Sequence, residues 1–150
     1  MRIKKVTPQD LNKIYQLEKE VFGQDAFSRS LIQKLMRRSD IFIKFEKKWI
    51  KKSLIGFAIA VKDRLDRVNI INFLINPKFQ RKGYGKAMME KIISSVKNME
   101  DIKQIVLNVK VNNKAAIQLY EKFHFKIVKI IEDYYKSGDS GFLMVLDLNT

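Results

Sequence analysis

Gln80-Arg81-Lys82-Gly83-Tyr84-Gly85-Lys86-Ala87 joins the end of a strand-like run to the start of a helical one. Its two glycines let backbone N–H groups approach one another with no Cβ in the way. A helix start also leaves N–H groups unpaired and carries the positive end of the helix dipole. Three cationic side chains lie within these residues. The segment is a candidate pyrophosphate site, although a plain strand-to-helix turn would need the same glycines.

Two common nucleotide-binding patterns do not fit this turn. The Walker pattern requires Gly-Lys followed by Ser or Thr, and here Ala87 follows Lys86. The Rossmann fingerprint requires a third glycine three residues after Gly85, where Met88 stands. From the turn alone, the ligand therefore stays open.

The residues before the turn predict strands and two helices. A first strand is expected at Arg2–Lys5. A helix should then begin with Thr7 as N-cap and Pro8 in its first turn, and a second, shorter helix should be capped by Ser28. Three more strands follow, the last two joined by a hairpin turn at Lys62–Arg67; they are Ile41–Glu46, Leu54–Val61 and Val68–Ile75.

The residues after the turn continue the alternation of helices and strands. The expected elements are a helix at Gly85–Val96, a strand at Gln104–Val109, a helix at Asn113–Phe123, and strands at Lys126–Ile131 and Phe142–Leu146. His124 is expected to cap the second of these helices in the left-handed conformation, rather than to act in catalysis. The order β-α-α-β-β-β-α-β-α-β-β predicts a mixed α/β fold (α+β), with a mixed sheet and helices on its faces.

The composition is that of one ordinary domain, and a single domain over residues 1–150 is expected. The chain has 150 residues, of which 46% are hydrophobic. It has no cysteine, which excludes disulfides, a thiolate nucleophile and cysteine-ligated metal sites. We expect a cytoplasmic location and no membrane contact, because the chain has neither a signal-like nor a membrane-spanning apolar run. No metal site is apparent in the sequence, and no metal is expected.

The charge is strongly positive, with 30 basic and 16 acidic residues for a formal net charge of +14. Such a field attracts polyanions: nucleic acid, a phosphate-bearing cofactor, or an acidic surface such as one met on the ribosome. The basic residues are scattered along the chain, and few pair with an aromatic residue as Lys48-Trp49 does. Scattered lysines are more typical of a solvated surface than of a recognition patch.

Two motifs resemble those of one family. Gln80–Gly85 resembles the Q/R-x-x-G-x-G/A motif of the GCN5-related N-acetyltransferase (GNAT) family, and Asn112–Glu121 resembles its N-x-x-A-x-x-L-Y-E helix. Tyr134-Tyr135, before the final strand, is similar to the RimI/Ard1-like branch, which acetylates protein N-termini. The resemblance covers nearly the whole chain and implies the GNAT fold, with a central twisted mixed sheet flanked by helices.

The resemblance implies acetyl-CoA as cosubstrate and the N-terminal α-amine of a protein or peptide as acceptor. A small-molecule amine, such as a polyamine, amino sugar or amino acid, is an alternative acceptor, and a non-catalytic nucleic-acid-binding domain is a rival function. The residues expected to bind acetyl-CoA are Phe73, Leu74, Ile75, Gln80, Arg81, Lys82, Gly83, Tyr84, Gly85, Lys86, Asn113 and Tyr120.

The same resemblance suggests catalytic roles. Tyr120 is the candidate acid for the leaving thiolate, although a core aromatic residue would show the same helical spacing. Asn108 stands where RimI-like enzymes have a glutamate, and it could hold a water but cannot act as a carboxylate base. Glu18, Glu20 or Asp25 could contribute instead, but each is individually expected to be a solvated surface residue. Phe27, Tyr134 and Tyr135 are the candidate walls of the acceptor site.

Overall fold

The computed structural model describes residues 2–47 and 53–149, so the Lys48-Trp49 pair lies outside the described residues. Within them the strands and helices follow the predicted order. The elements are β1 (Arg2–Lys5), α1 (Leu11–Phe22), α2 (Arg29–Arg38), β2 (Ile41–Lys47), β3 (Ser53–Arg64), β4 (Arg67–Ile75), α3 (Tyr84–Lys97), β5 (Gln104–Lys110), α4 (Lys114–Lys122), β6 (Lys126–Ile131) and β7 (Gly141–Asp147).

The strands form one mixed sheet in the order β1-β2-β3-β4-β5-β7-β6. Its neighbouring strands are antiparallel except for β4 and β5, which are parallel. The parallel pairing runs only from Arg67↔Gln104 to Ile70↔Leu107, although β4 continues to Ile75 and β5 to Lys110. The sheet is therefore split between its two central strands beyond that point.

The split begins where β4 is irregular. Ala60 pairs with Ile70 but Ile59 pairs with Asn72, so Ile71 is an extra residue in β4. Such a bulge locally shifts the in–out alternation of a strand and is often found beside functional sites. Here Val68 and Ile70 belong to one buried cluster, while Leu74, beyond the bulge, belongs to the other.

The two clusters lie on opposite sides of the sheet. One contains the buried residues of α3 and α4, including Met88, Ile92 and Ile117, packed against strand residues such as Ile105. The other contains the apolar residues of α1 and α2, including Ile14 and Ile32. The helices therefore flank the sheet on both faces, as the sequence predicts.

Local signals in the sequence set most of the boundaries. The Ser28 hydroxyl accepts a hydrogen bond from the Leu31 N–H at 3.1 Å, as expected of an N-cap. His124 has φ +74° two residues after the end of α4, which confirms the left-handed conformation expected there. The predicted hairpin turn at Lys62–Arg67 is too long, because β3 extends to Arg64 and β4 begins at Arg67.

Candidate active site

A cavity of about 120 Å³ opens at the split between β4 and β5. Its walls come from both strands, from the end of α1 and the segment after it, from α4 and from the loop between β6 and β7. The lining residues are Glu18, Phe22, Asp25, Phe27, Ile70, Ile71, Asn72, Phe73, Leu107, Asn108, Val109, Lys110, Asn113, Tyr120 and Tyr135. Six residues predicted for the site are thereby brought together: Phe27, Phe73, Asn108, Asn113, Tyr120 and Tyr135.

Tyr120 reaches this cavity from α4 with a side chain held by aromatic rings. Its ring stands edge-on to Phe73 with centroids 5.8 Å apart, and the Phe125 centroid is 6.0 Å away. The residue is only 6% exposed, and burial raises the pKa of its phenol. The hydroxyl therefore keeps its proton at neutral pH and is available as a donor at the cavity wall.

Asn108 lies opposite, on β5, and has one atom without a partner. Its Nδ2 donates to the Tyr134 hydroxyl at 3.3 Å. Its Oδ1 is buried and, among the described residues, has no hydrogen-bond partner. A buried acceptor left unpaired is costly, so an N–H or water in the cavity would stabilise this arrangement.

Asn113 has a structural role in addition to its predicted place in the site. It is the N-cap of α4, and its Oδ1 accepts a hydrogen bond from the Ala116 N–H at 3.2 Å. The residue also lines the cavity. Its cap fixes the start of α4 and so the height at which Tyr120 enters, seven residues later.

The glycine turn forms an anion cradle beside the split. The first intrahelical hydrogen bond of α3 runs from the Ala87 N–H to the Gly83 carbonyl at 3.1 Å. The N–H groups of Tyr84, Gly85 and Lys86 therefore precede the hydrogen-bonded ladder of the helix. Gly83 has φ +86°, and an added Cβ would meet no atom within 4 Å, so the space in front of the helix start is open.

The side chains of the turn divide into anchors and exposed cations. Tyr84 packs edge-on against Phe45 and Phe79, and these contacts anchor the first residue of α3. The Gln80 side chain donates to the Ile75 carbonyl at 3.1 Å and thereby ties the turn to β4. The cations Arg81, Lys82 and Lys86 are exposed.

Gly85 allows a close contact between two helices. A Cβ at Gly85 would lie 3.1 Å from a methyl carbon of Leu119 in α4. A side chain there would require the Leu119 side chain, on the helix that carries Tyr120, to shift by a few tenths of an ångström. The second glycine of the motif therefore serves packing, whereas the first serves the backbone conformation of the turn.

Two of the three acidic residues expected to be solvated have side chains that are covered by the protein, and that expectation was wrong for them. Glu18 is 1% exposed, and the Asp25 side chain is 4% exposed. Both line the cavity, whereas Glu20 is exposed as expected. The spacing along α1 carried a signal for the first of them: Glu18 lies four residues after Ile14 and seven after Leu11, on the face of the helix that is buried.

Glu18 is held by two hydrogen bonds. One carboxylate oxygen accepts from the Phe27 N–H at 2.8 Å, and the other accepts from Asn72 Nδ2 at 2.7 Å. Desolvation nevertheless raises its pKa, since neither partner is charged. Asn72 was not predicted for the site, although a polar residue at a buried strand position is a usable signal.

A cluster around Lys110 closes the other side of the cavity. Its Nζ lies 2.6 Å from Asp25 and 3.4 Å from Asp139, and 5.3 Å from the centroid of the Tyr135 ring. Asp25 also accepts a hydrogen bond from the Ser137 N–H at 2.8 Å. The segment after α1 and the loop between β6 and β7 are thus joined in two ways, through Lys110 and by the direct hydrogen bond from Ser137 to Asp25.

This ion pair sets the charge state of Asp25. The hydrogen bond from Lys110 lowers the Asp25 pKa to about 2, and the pKa of Lys110 is raised in return. Both groups therefore stay charged over the physiological range. The carboxylate of Asp139, in the loop between β6 and β7, also faces Lys110.

Among residues 2–47 and 53–149, no helix is long and apolar enough to cross a membrane. The same residues contain no group of three or more His, Cys, Asp or Glu side chains placed to hold a metal ion.

Known proteins are similar to this chain in sequence and in fold. An N-alpha-acetyltransferase from Saccharolobus solfataricus is 35% identical over 80 residues, which cover 53% of this chain and 48% of that relative. The chain thus spans about half the length of these curated relatives. That relative is consistent with the predicted branch.

Solved structures resemble the whole of the chain. The ribosomal-protein-S18-alanine N-acetyltransferase from Escherichia coli has a TM-score of 0.80 and 25% identity, covering 98% of this chain and 93% of that one. Arabidopsis thaliana NAA60 in complex with acetyl-CoA has a TM-score of 0.85 and 18% identity, and covers 99% of both chains. The latter likeness shows the fold alone.

The sequence itself matches a family description over most of its length. Residues 9–125 match the acetyltransferase (GNAT) family, a span that includes the glycine turn, Asn108 and the α4 motif. The fold predicted from the resemblance and the family are therefore both confirmed. The chain belongs to the acetyltransferase (GNAT) family.

Proposed function

We propose that this protein transfers the acetyl group of acetyl-CoA to the N-terminal α-amine of a protein or peptide. The observation that carries the proposal is the cavity at the β4–β5 split, where a protonated Tyr120 hydroxyl and an unpartnered Asn108 oxygen line one small space. The similarity to an N-alpha-acetyltransferase supports the choice of acceptor.

Acetyl-CoA fits the groups next to this cavity. The N–H groups at the start of α3 and the exposed cations of the turn suit a pyrophosphate. The edge of β4 beyond Ile70 lacks a β5 partner, so backbone groups on that edge can bind the amides of an extended arm, apart from the Ile75 carbonyl that Gln80 occupies. Arabidopsis NAA60, which shares the fold, has been solved with acetyl-CoA. Binding by these residues is part of the proposal.

The cavity residues supply three of the requirements of acyl transfer to an amine. Walls such as Phe27 and Tyr135 hold the acceptor near the thioester, which lowers the entropic barrier. The Asn108 oxygen accepts a hydrogen bond from the attacking amine. The Tyr120 hydroxyl donates to the sulfur as the thiolate departs.

The chemistry favours an α-amine over a lysine side chain. An α-ammonium has a pKa of about 7.7–8.0, whereas lysine has about 10.4. At neutral pH the α-amine therefore loses its proton at a cost of roughly one pKa unit, and lysine at more than three. An enzyme without a strongly basic group at its site is suited to the first.

A panel of peptides tests the acceptor directly. Matched peptides would carry either a free or a blocked N-terminus, each with and without an internal lysine, and CoA release would be measured with acetyl-CoA as donor. We expect release only with free N-termini, independent of lysine. Equal release from blocked, lysine-containing peptides would contradict the Nα assignment. Polyamines, amino sugars and amino acids would be assayed beside the peptides, and release with these amines alone would establish the small-amine alternative.

The Lys110 cluster predicts a separate effect on acceptor binding. Lys110→Met should raise the KM for the acceptor roughly tenfold, while the affinity for acetyl-CoA stays unchanged. The substitution removes the cation between Asp25 and Asp139 and leaves only the hydrogen bond from Ser137 to Asp25 between the two segments at the cavity. Lys129→Met is the matched control, since Lys129 is exposed on the edge strand β6. An unchanged acceptor KM would show that the two loops are positioned without this lysine.

The same cluster predicts a pH range for loop closure. Because the folded-state pKa of Asp25 is lowered to about 2, its ion pair stabilises the closed loops above the ordinary carboxyl pKa of 3.8 and is lost as the pH falls toward 2. The acceptor KM should therefore show no transition from this pair near neutral pH. Steady-state kinetics across pH would check this, and a transition that Lys110→Met removes would contradict it.

Several expectations from the sequence stay predictions. These are the single-domain organisation over residues 1–150, the cytoplasmic location, and contact with ribosomes, nucleic acid or other acidic surfaces through the basic charge. Salt-sensitive DNA binding without a thermal shift from acetyl-CoA would favour the nucleic-acid alternative.

A further inference from the structure

Glu18 is a buried carboxylate that has no role in the acetyl transfer proposed above. It lines the cavity together with Tyr120 and Asn108, although it projects from α1 on the other side of the sheet. It is 1% exposed and takes part in none of the ion pairs formed by the described residues. A buried carboxylate without a cation is rare, because desolvation disfavours its charge.

The hydrogen bonds of Glu18 leave room for a ligand. A carboxylate offers about four acceptor positions. The Phe27 N–H and Asn72 Nδ2 occupy one on each oxygen. These donors hold the carboxylate in a fixed orientation against the cavity wall, and its remaining lone pairs can accept from an ammonium group or from a water beside it.

The other acidic group of the cavity is unsuited to accept a proton. Asp25 is bound to Lys110 and its pKa is lowered to about 2, whereas the pKa of Glu18 is raised by burial. Asn108 has no carboxylate. The remaining titratable groups facing the cavity are Lys110, already paired, and the phenols of Tyr120 and Tyr135, whose pKa values burial raises.

We propose that Glu18 binds the acceptor ammonium group and takes its proton before the amine attacks the thioester. The inference rests on the proposed acetyl transfer and deepens it, because it supplies the base that Asn108 cannot be. It also gives the acceptor site a negative charge matched to an ammonium group, set among the apolar walls Phe22 and Phe27.

The proposed transfer conserves protons and electron pairs. One proton passes from the ammonium nitrogen to a Glu18 oxygen, directly or through one water, which leaves a neutral amine. The nitrogen lone pair forms the C–N bond to the acetyl carbonyl carbon, and the C–S bond breaks with its electron pair going to sulfur. The thiolate takes a proton from the Tyr120 hydroxyl, which regains one from the nitrogen of the new amide. Glu18 then returns its proton to solvent.

The variant Glu18→Gln tests the proposal through its pH dependence. With a free-N-terminus peptide, we expect kcat to fall roughly 100-fold at about pH 6.5 and less than about threefold at about pH 9.5, where the α-amine is already neutral. A residue that only positions the Phe27 segment would lower kcat or raise KM equally at both pH values. Such a pH-independent loss, or no loss, would overturn the proposal.

A second variant guards against a folding defect. Thermal unfolding and acetyl-CoA titration establish that Glu18→Gln is folded, and the double variant Glu18→Gln/Asn108→Glu returns a carboxylate to the cavity from β5. We expect the double variant to recover at least tenfold of the lost rate at the lower pH. If the wild-type protein acetylates no peptide, the proposed function fails and this inference with it. If the wild-type protein acetylates peptides and Glu18→Gln does so at the same rate, this inference alone fails.

Discussion

Replacing Tyr120 with phenylalanine should lower kcat for acetyl transfer roughly 100- to 1,000-fold and leave the affinity for acetyl-CoA within about threefold. The hydroxyl is the part of this residue that can donate to the departing sulfur, and burial keeps it protonated. The ring makes the packing contacts, with Phe73 and Phe125, and phenylalanine retains both. Single-turnover kinetics and calorimetric titration with acetyl-CoA would measure the two quantities separately.

The size of this effect follows from the role of the hydroxyl as proton donor to the leaving thiolate. A thiolate expelled into an apolar cavity without a donor is unstable, and a positioned general acid typically contributes 10²–10⁴-fold. The alternative interpretation is a core tyrosine whose hydroxyl has no chemical task. Under that interpretation Tyr120→Phe would cost little, since no described residue receives a hydrogen bond from this hydroxyl.

Tyr15→Phe is the control for the loss of a hydroxyl group. Tyr15 packs against the cluster on the α1–α2 side of the sheet and does not line the cavity. Its replacement should leave both kcat and affinity unchanged. If Tyr120→Phe turned over as fast as Tyr15→Phe, the acid role would have to be reassigned.

The fold was predictable because its signals are local. Strand alternation, the Ser28 cap and the positive φ at His124 each depend on a few neighbouring residues, and each is observed. The turn between β3 and β4 was predicted too long, because polar residues at the strand ends were assigned to the turn. Asp63 bonds Arg67 and Asn69 across that turn, so charged side chains belong to the strands there.

The site was predictable only where one segment carries it. The glycine turn and the α4 helix are continuous in sequence, so their motifs name the residues that matter. The pair Asp25–Lys110 joins residues 85 positions apart, and Glu18–Asn72 joins residues 54 apart. Such pairs depend on the bulge at Ile71 and on the split between the central strands, and neither has a local signature.

Gly83→Asp should weaken acetyl-CoA binding about 100-fold, or about 2.7 kcal/mol, and leave the fold intact. Gly83 has φ +86°, a conformation that aspartate adopts more readily than most residues. A Cβ there meets no atom within 4 Å, so an aspartate side chain has room, and at the N-cap its charge lies next to the first turn of α3. A fixed negative charge in that space repels a pyrophosphate, and two charges about 4 Å apart interact by roughly 4 kcal/mol at a partly shielded surface.

Two matched variants separate charge from backbone strain. Gly83→Asn has nearly the same shape without the charge, and it should lose less than about tenfold in affinity. Gly138→Asp places the same residue at φ +90° with equally open space, but in the loop between β6 and β7, so acetyl-CoA binding should be unaffected. The loss at Gly83→Asp should also shrink as salt is raised, because screening weakens repulsion between exposed charges. Equal losses for Gly83→Asp and Gly83→Asn, independent of salt, would mean that the turn binds no anion and that its glycine serves geometry alone.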